Sequence, residues 1–465
     1  MDKEMVPDEK HSAVFIHTAD ETQPYVVGAV WLDSTVGVVG EIPCFMGVAG
    51  QFETVHDWFF RKLPSNVVFR SERVRGTLFS CHQFGWSERG HISIGKLRAG
   101  EAVLAERIGP LEDELRVAVF ASRMDGLAEW TNLSSVGWEG EFVGEGAARR
   151  RRVTYTIERS DGLTWYQGGA RMTLTTEWSP NSNSPDGGVY LDDAVVLKSK
   201  FSTPRPISEH LAEQWKFRAL LQFVYGIPAA FRGHRIRDSR FPSRRSAGKT
   251  VDVETAAAIC EGTVEEHSRP LLRRDALNWP ILDFEKLSAQ TLSRWARNYD
   301  EWQRAVLPTS AVLRRSDLFA EDRVISGSMS IEALGQLLGE ADGERDTYGK
   351  SKRATVATAF YRTLAFVGVD ATAVASKNSH LAWALANVYN RTKHADRGDF
   401  PEGPHLLVAG PLTLMLVRLA VLKMLVQDAR VIDQFVSGWG FRQLFSDMNS
   451  RGVRADESGN FVTED

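Results

Sequence analysis

The apolar residues of this 465-residue chain change period near residue 206, and that change constrains the fold more than any motif. Up to about Ser202, segments rich in β-branched and aromatic residues are separated by clusters of Gly, Asp, Asn and Ser. In Arg152–Arg159, Val153, Tyr155 and Ile157 alternate with Thr154, Thr156 and Glu158, which predicts a strand with one buried face. RMTLTTEW (171–178), HISIG (91–95) and YVVGAVWL (25–32) carry a similar load. Trp31, Trp58, Trp86, Trp130, Trp138, Trp165 and Trp178 also lie here, and filling a sandwich or barrel core is their ordinary role.

Helical spacing starts in Pro206–Pro228. Ser208 is an expected N-cap, Leu211, Trp215, Ala219 and Phe223 recur on one face, and Gly226 with Pro228 supplies a stop. Further helices are expected in Trp279–Leu307, Ser328–Leu338, Lys352–Val367, Asn378–Lys393 and Pro411–Gln427. The fold class is therefore α+β and multidomain: a β-rich sandwich or barrel-like N-terminal domain, then an all-α bundle. The expected boundaries are 1–230 for the β-rich domain with its closing helix, 231–269 for a basic connector, 270–450 for the helical domain, and 451–465 for a frayed polar tail.

The formal charge of −4 advertises no polyanion partner for the whole molecule, so any nucleic-acid surface must be local. Local patches exist. Arg232, Arg235, Arg237, Arg244 and Arg245 stand in a stretch opposed only by Asp238, and Arg149–Arg152 form a run in the β-rich part. Cys44, Cys81 and Cys260 are too few and scattered for a disulfide framework or structural zinc, which points to a reducing cytoplasm and predicts no metal. The charged N-terminus lacks a secretory core. The apolar stretch Leu406–Val426 is interrupted by Gly410–Pro411, Arg418 and Lys423, whereas a membrane span wants about 20 apolar residues, so it reads as a buried helix. Two phosphate-loop look-alikes, Ser243–Thr250 and Gly343–Ser351, miss the required glycine or spacing, follow no convincing strand, and read as linkers.

Asn378–Lys393 carries the most chemistry. Leu381, Leu385 and Val388 form its core stripe, and His380, Asn387, Arg391 and His394 form a second stripe if the helix continues through His394. Arg391 and His394 would then be neighbours. A histidine can move the protons of RNA cleavage, a guanidinium can hold the phosphate and stabilise its added charge, and Asn387 can orient either group. A solvated helix face explains the same spacing.

The order of parts resembles the abortive-infection proteins of the ApeA type, in which a β-rich domain and a helix similar to Pro206–Pro228 precede a helical HEPN domain. Ser328–Gly339 resembles the helix that opens that domain, and Ala384–Asp396 its motif helix. The resemblance implies an anti-phage effector with metal-independent endoribonuclease activity and no cofactor. It further implies host or phage RNA as partner, a phage protein as trigger, no membrane, and a homodimer through the helical domain with its motif helices face to face. Arg391 and His394, with Asn387, would be catalytic, and Lys393 with the arginines from Arg232 to Arg245 would bind RNA. One departure stands out: the family's signature places four to six residues between Arg and His, whereas only Thr392 and Lys393 separate Arg391 from His394. That departure keeps a second reading open, a catalytically degenerate module for dimerisation or RNA binding. The tryptophans keep a third open, a β-rich receptor for a ligand or protein without enzymatic activity.

Overall fold

The computed structural model describes all residues except 1–4, 17–24, 46–54, 56–58, 60–62, 108–110, 112–113, 144–148, 182–189, 242–254, 268, 316, 427 and 465. The chain forms two units: Met1–Ala128, Asn132–Gln214 and Ala230–Leu272 make a β unit, and Glu129–Thr131, Trp215–Ala229 and Arg273–Asp465 make a helical unit. The α+β arrangement expected from the change of period is thus observed.

In the β unit the period-two segments join one 14-stranded antiparallel sheet. One edge is Asp161–Gln167, followed by Ala170–Asn181, Tyr190–Pro206, Arg116–Met124, Phe231–Arg237, Ala256–Cys260 and Glu101–Val103. Seven earlier strands then lead to the other edge at His82–Arg89. Alternation sets the faces: Met172 and Leu174 are fully buried, as are Val30, Ile42 and Leu97 on strands near the far edge. Trp31 and Trp165 fill the core as expected, Trp138 and Trp178 are exposed, and Trp58 lies outside the described residues.

The expected connector is structured differently. Phe231–Arg237 and Ala256–Cys260 are neighbouring strands inside the sheet, and Glu261–His267 is a short helix. The arginines masked the pattern beneath them: Phe231, His234 and Ile236 are buried, so the charged side chains ride on a strand that feeds the core.

The strand containing Val153 and Tyr155 also differs from expectation. Arg150–Ile157 pairs only with Val136–Val143, as a separate two-stranded ribbon, and its residues from Arg150 to Thr156 are exposed. Alternation is present, but among the described residues no further strand pairs with the ribbon and its apolar side chains are exposed. Asp193 anchors the base of the ribbon, its Oδ2 accepting from the Ser134 hydroxyl at 2.9 Å and the Ser135 N–H at 3.0 Å.

The helix Ile207–Tyr225 follows its strand without a break, so Ser208 lies in the first turn rather than at an N-cap. Ala219 and Phe223 are buried as expected, while Trp215 is exposed. Its first half is fixed to the β unit by buried polar groups. His210 bonds the Ser199 hydroxyl at 2.8 Å and the Val117 carbonyl at 2.9 Å, and the Gln214 amide donates to the Phe120 and Leu197 carbonyls.

In the helical unit the principal helices are Ala289–Glu301, Gln303–Leu313, Ala320–Leu337, Val356–Val367, Asn378–Lys393 and Gly403–Leu425, followed by Arg430–Ser437 and Trp439–Ser450. Gly403–Leu425 is long and apolar enough to cross a membrane, yet most of its apolar window is buried inside the protein. It runs through Pro411 and begins eight residues before the expected start. Tight packing offsets the proline's cost of about 3 kcal/mol in a helix interior. A Cβ on Gly410 would sit 3.1 Å from the Arg323 Cβ of Ala320–Leu337, so glycine permits that close approach.

Two expectations in this unit change. The tail is ordered: Val453–Ala455 pairs with Phe461–Thr463, and Val453 and Phe461 are buried. The Gly343–Ser351 look-alike is occupied by its own side chains. Glu344 accepts from Arg362 Nε at 2.6 Å, from the Tyr348 hydroxyl at 2.8 Å and from the Ala341 N–H at 2.8 Å, which leaves no anion cradle. Those donors, led by the Arg362 bond, hold the Glu344 carboxyl down at about 2. The other look-alike falls almost wholly outside the described residues.

Candidate functional site

The helix Asn378–Lys393 begins where the Asn378 side chain accepts from the Ala371 N–H at 3.0 Å and donates to the Val369 carbonyl at 2.7 Å. Leu381, Leu385 and Val388 are buried, which fixes the expected core stripe and leaves the other face available. The helix ends one residue earlier than the site reading required. His394 is the C-cap, with extended backbone at φ −125° and ψ 112°, its N–H still bonded to the Asn390 carbonyl at 2.9 Å. Arg391 and His394 are therefore separated by a helix end rather than stacked along one face.

The chain then folds back. Arg397 N–H donates to the His394 carbonyl at 3.2 Å, and Arg391 Nε donates to the Asp399 carbonyl at 2.6 Å. Every residue from Lys393 to Phe400 is exposed, while Arg391 is half-buried. Arg391 keeps both Nη groups for a ligand, and His394 presents an exposed imidazole beside them in sequence. Arg391, Lys393, His394 and Arg397 place basic side chains around the helix C-terminus, where they complement the unpaired carbonyls.

Lys393 is held on its own helix. Its Nζ donates to the Tyr389 hydroxyl at 2.8 Å, and that hydroxyl donates to Glu332 Oε2 at 3.1 Å. Burial raises the Tyr389 pKa, and the bond to Tyr389 raises that of Lys393. Glu332 and Tyr389 were not singled out from the sequence. The four-residue spacing of Tyr389 and Lys393 was visible there, but Glu332 arrives from another helix. His405 was also missed. It is buried, its Nε2 lies 3.2 Å from the Thr463 hydroxyl, and burial, aided by the nearby Arg391 charge, lowers its pKa against the opposing effect of Glu402.

Asn387 and His380 stand elsewhere. The Asn387 amide donates to the Gly459 carbonyl at 2.8 Å, tying the helix to the C-terminal hairpin, and His380 Nδ1 lies 2.8 Å from the Ser376 hydroxyl. Both line a cleft of about 490 Å³ with Asp346, Trp383 and Glu457. The Asp346 and Glu457 carboxylates in that cleft disfavour a phosphate there.

Of the arginines expected to bind RNA, Arg232 is a clamp. It pairs with Asp125 through Nε at 2.7 Å and Nη2 at 2.5 Å, and donates to the carbonyls of Glu266, Arg269 and Pro270. All five of its N–H donors are used, which leaves none for a phosphate. Arg235 and Arg237 lie on the same strand, half-buried and exposed respectively, and Arg244 and Arg245 lie outside the described residues. Among the described residues no group of three or more His, Cys, Asp or Glu side chains is placed to hold a metal ion.

Residues 74–239 match the family described as ApeA N-terminal domain 1. No curated protein and no solved structure matches the chain.

Proposed function

We propose that this ApeA-type chain is an anti-phage abortive-infection effector whose helical unit is a HEPN-like, metal-independent endoribonuclease. The observation that carries the catalytic part is the exposed basic end of Asn378–Lys393, where Arg391, Lys393 and His394 surround one helix terminus. The ApeA N-terminal domain match supports the defence context. In this reading the Nη groups of Arg391 bind the scissile phosphate bidentately. His394 takes the proton from the 2′-hydroxyl or returns one to the leaving oxygen. The 2′-oxygen forms its bond to phosphorus as the P–O5′ bond breaks, leaving a 2′,3′-cyclic phosphate and a 5′-hydroxyl. Lys393 adds positive charge for the RNA backbone. A second copy of the chain, joined through the helical unit, supplies a second motif helix. The β unit responds to a phage protein, and the setting is the cytoplasm.

The test is cleavage of a mixed RNA by the full chain in chelator. Cyclic-phosphate ends with the wild-type chain, lost in Arg391→Ala/His394→Ala, support the proposal. Undiminished cleavage by the double variant removes these residues from the mechanism.

A second reading is favoured by the helix end between Arg391 and His394 and by the engagement of Arg391 Nε with Asp399: the helical unit binds RNA or a second copy without cutting. RNA retained without turnover in the same assay favours it.

A further inference from the structure

We propose that the two-stranded ribbon Val136–Val143 and Arg150–Ile157 is a binding platform for single-stranded nucleic acid. Its register pairs Trp138 with Tyr155, Gly140 with Val153, and Phe142 with Arg151, so these six residues share one face. Trp138, Phe142 and Tyr155 are 62%, 63% and 67% exposed, and among the described residues the ribbon pairs with no other strand. An apolar face this open needs an occupant.

The charge around the rings identifies that occupant. A Cβ built on Gly140 would lie 3.5 Å from the Trp138 ring and 3.7 Å from Arg151 Nε, so indole and guanidinium come together beside the glycine. The Arg149 guanidinium lies 4.5 Å from the Phe142 ring centre. Aromatic rings for bases, interleaved with guanidinium groups for stacking and phosphate, are what single strands require. A duplex hides its base faces and cannot use the platform. The opposite face carries Glu139, Glu141, Thr154 and Thr156 with Arg150 and Arg152, and Arg152 pairs there with Glu141 at 3.2 Å, so the arginines of the ring face are Arg151 and Arg149. The sequence between the two strands, residues 144–148, holds a carboxylate and no large apolar side chain, which argues against a membrane wedge.

The proposal goes beyond the nuclease reading and stands on the ribbon alone, so its test uses strands that attack by a 2′-hydroxyl cannot cut. The full chain is titrated with a fluorescently labelled 2′-O-methyl RNA 12-mer, with the DNA strand of the same sequence, and with the annealed duplex. Both single strands are expected to bind and the duplex to bind weakly; the ratio of the two single-strand affinities assigns RNA or DNA as the preferred source. Trp138→Ala/Tyr155→Ala is expected to weaken single-strand binding about tenfold or more. Trp138→Phe keeps a stacking ring and retains most of it, and Arg149→Gln/Arg151→Gln flattens the salt dependence. Thr154→Ala/Thr156→Ala, on the opposite face, leaves affinity unchanged. Equal binding by wild type and the Trp138/Tyr155 variant overturns the proposal, as does equal binding of the duplex. Binding to anionic vesicles or to a protein without binding to either single strand overturns it too.

Discussion

Two helix C-termini in the helical unit are both met by arginine, and they are built for opposite ends. At the terminus of Ile207–Tyr225, Arg418 is almost wholly buried. Its Nε donates to the Phe223 carbonyl at 2.8 Å and its Nη2 to the Val224 carbonyl at 3.0 Å, while burial pulls its pKa down to about 9. Gly226 follows in the left-handed region at φ +71°, and any Cβ there would run into the guanidinium. At the terminus of Asn378–Lys393, Arg391 spends one donor on Asp399 and leaves the rest to solvent beside exposed His394 and Lys393. The same side chain caps the fold in one place and stays available for a ligand in the other. Burial and spare donors, not residue type, separate the two roles.

The comparison is sharpened first by Arg418→Ala. It orphans the buried Phe223 carbonyl, leaves the Val224 carbonyl with the Ile281 N–H as its remaining donor, and opens a void, so the helical unit should lose about 3 kcal/mol in a urea titration of the full chain followed by circular dichroism. A loss no larger than that from Arg391→Ala breaks the comparison. Next comes acid. The Glu344 carboxyl is held at about 2 against an ordinary 4.5, so its contribution of about 3 kcal/mol is complete above the ordinary value and is lost as pH falls toward 2. Glu344→Gln should remove that part of the acid sensitivity, and an unchanged acid transition in the variant contradicts the assignment. Gly226→Ala should cost about 2 kcal/mol, from left-handed backbone strain plus displacement of Arg418. Substituting Arg418 first should shrink that cost, which a double-variant cycle reads directly. The smallest effect belongs to the exposed end: Arg391→Ala and His394→Ala should each change stability by less than about 0.5 kcal/mol.

Much of this was legible in the chain. Asn378–Lys393 was bounded correctly because its apolar period is clear and the run ends in basic residues. The β-to-α order was legible because the period itself changes. Periodicity could not reveal what covers a face. Arg150–Ile157 alternates like a core strand and yet stands in an exposed ribbon, while Phe231–Arg237 looks like a charged connector and yet lies inside the sheet. Arg418 looked like an interruption of an apolar stretch, because the carbonyls it serves are about two hundred positions away in the chain. At the candidate site, Arg391, Lys393 and His394 were singled out from residue type and spacing. The helix end at Lys393 was not, because backbone dihedrals at His394 depend on the loop that returns to Arg391 through Asp399. Asn387 was assigned to chemistry from its place on the wheel, although its amide serves the C-terminal hairpin, a contact no local pattern announces.

The central claim is that the exposed end cuts RNA while the buried one holds the fold. It is tested most directly by measuring RNA cleavage in chelator, with analysis of product ends, alongside thermal stability for the wild type, Arg391→Ala and His394→Ala. The account predicts 2′,3′-cyclic phosphate products from the wild type, and a loss of cleavage of about a hundredfold or more in each variant at unchanged stability. Wild-type cleavage rates in both variants, or loss of cleavage only in proportion to loss of stability, would contradict it.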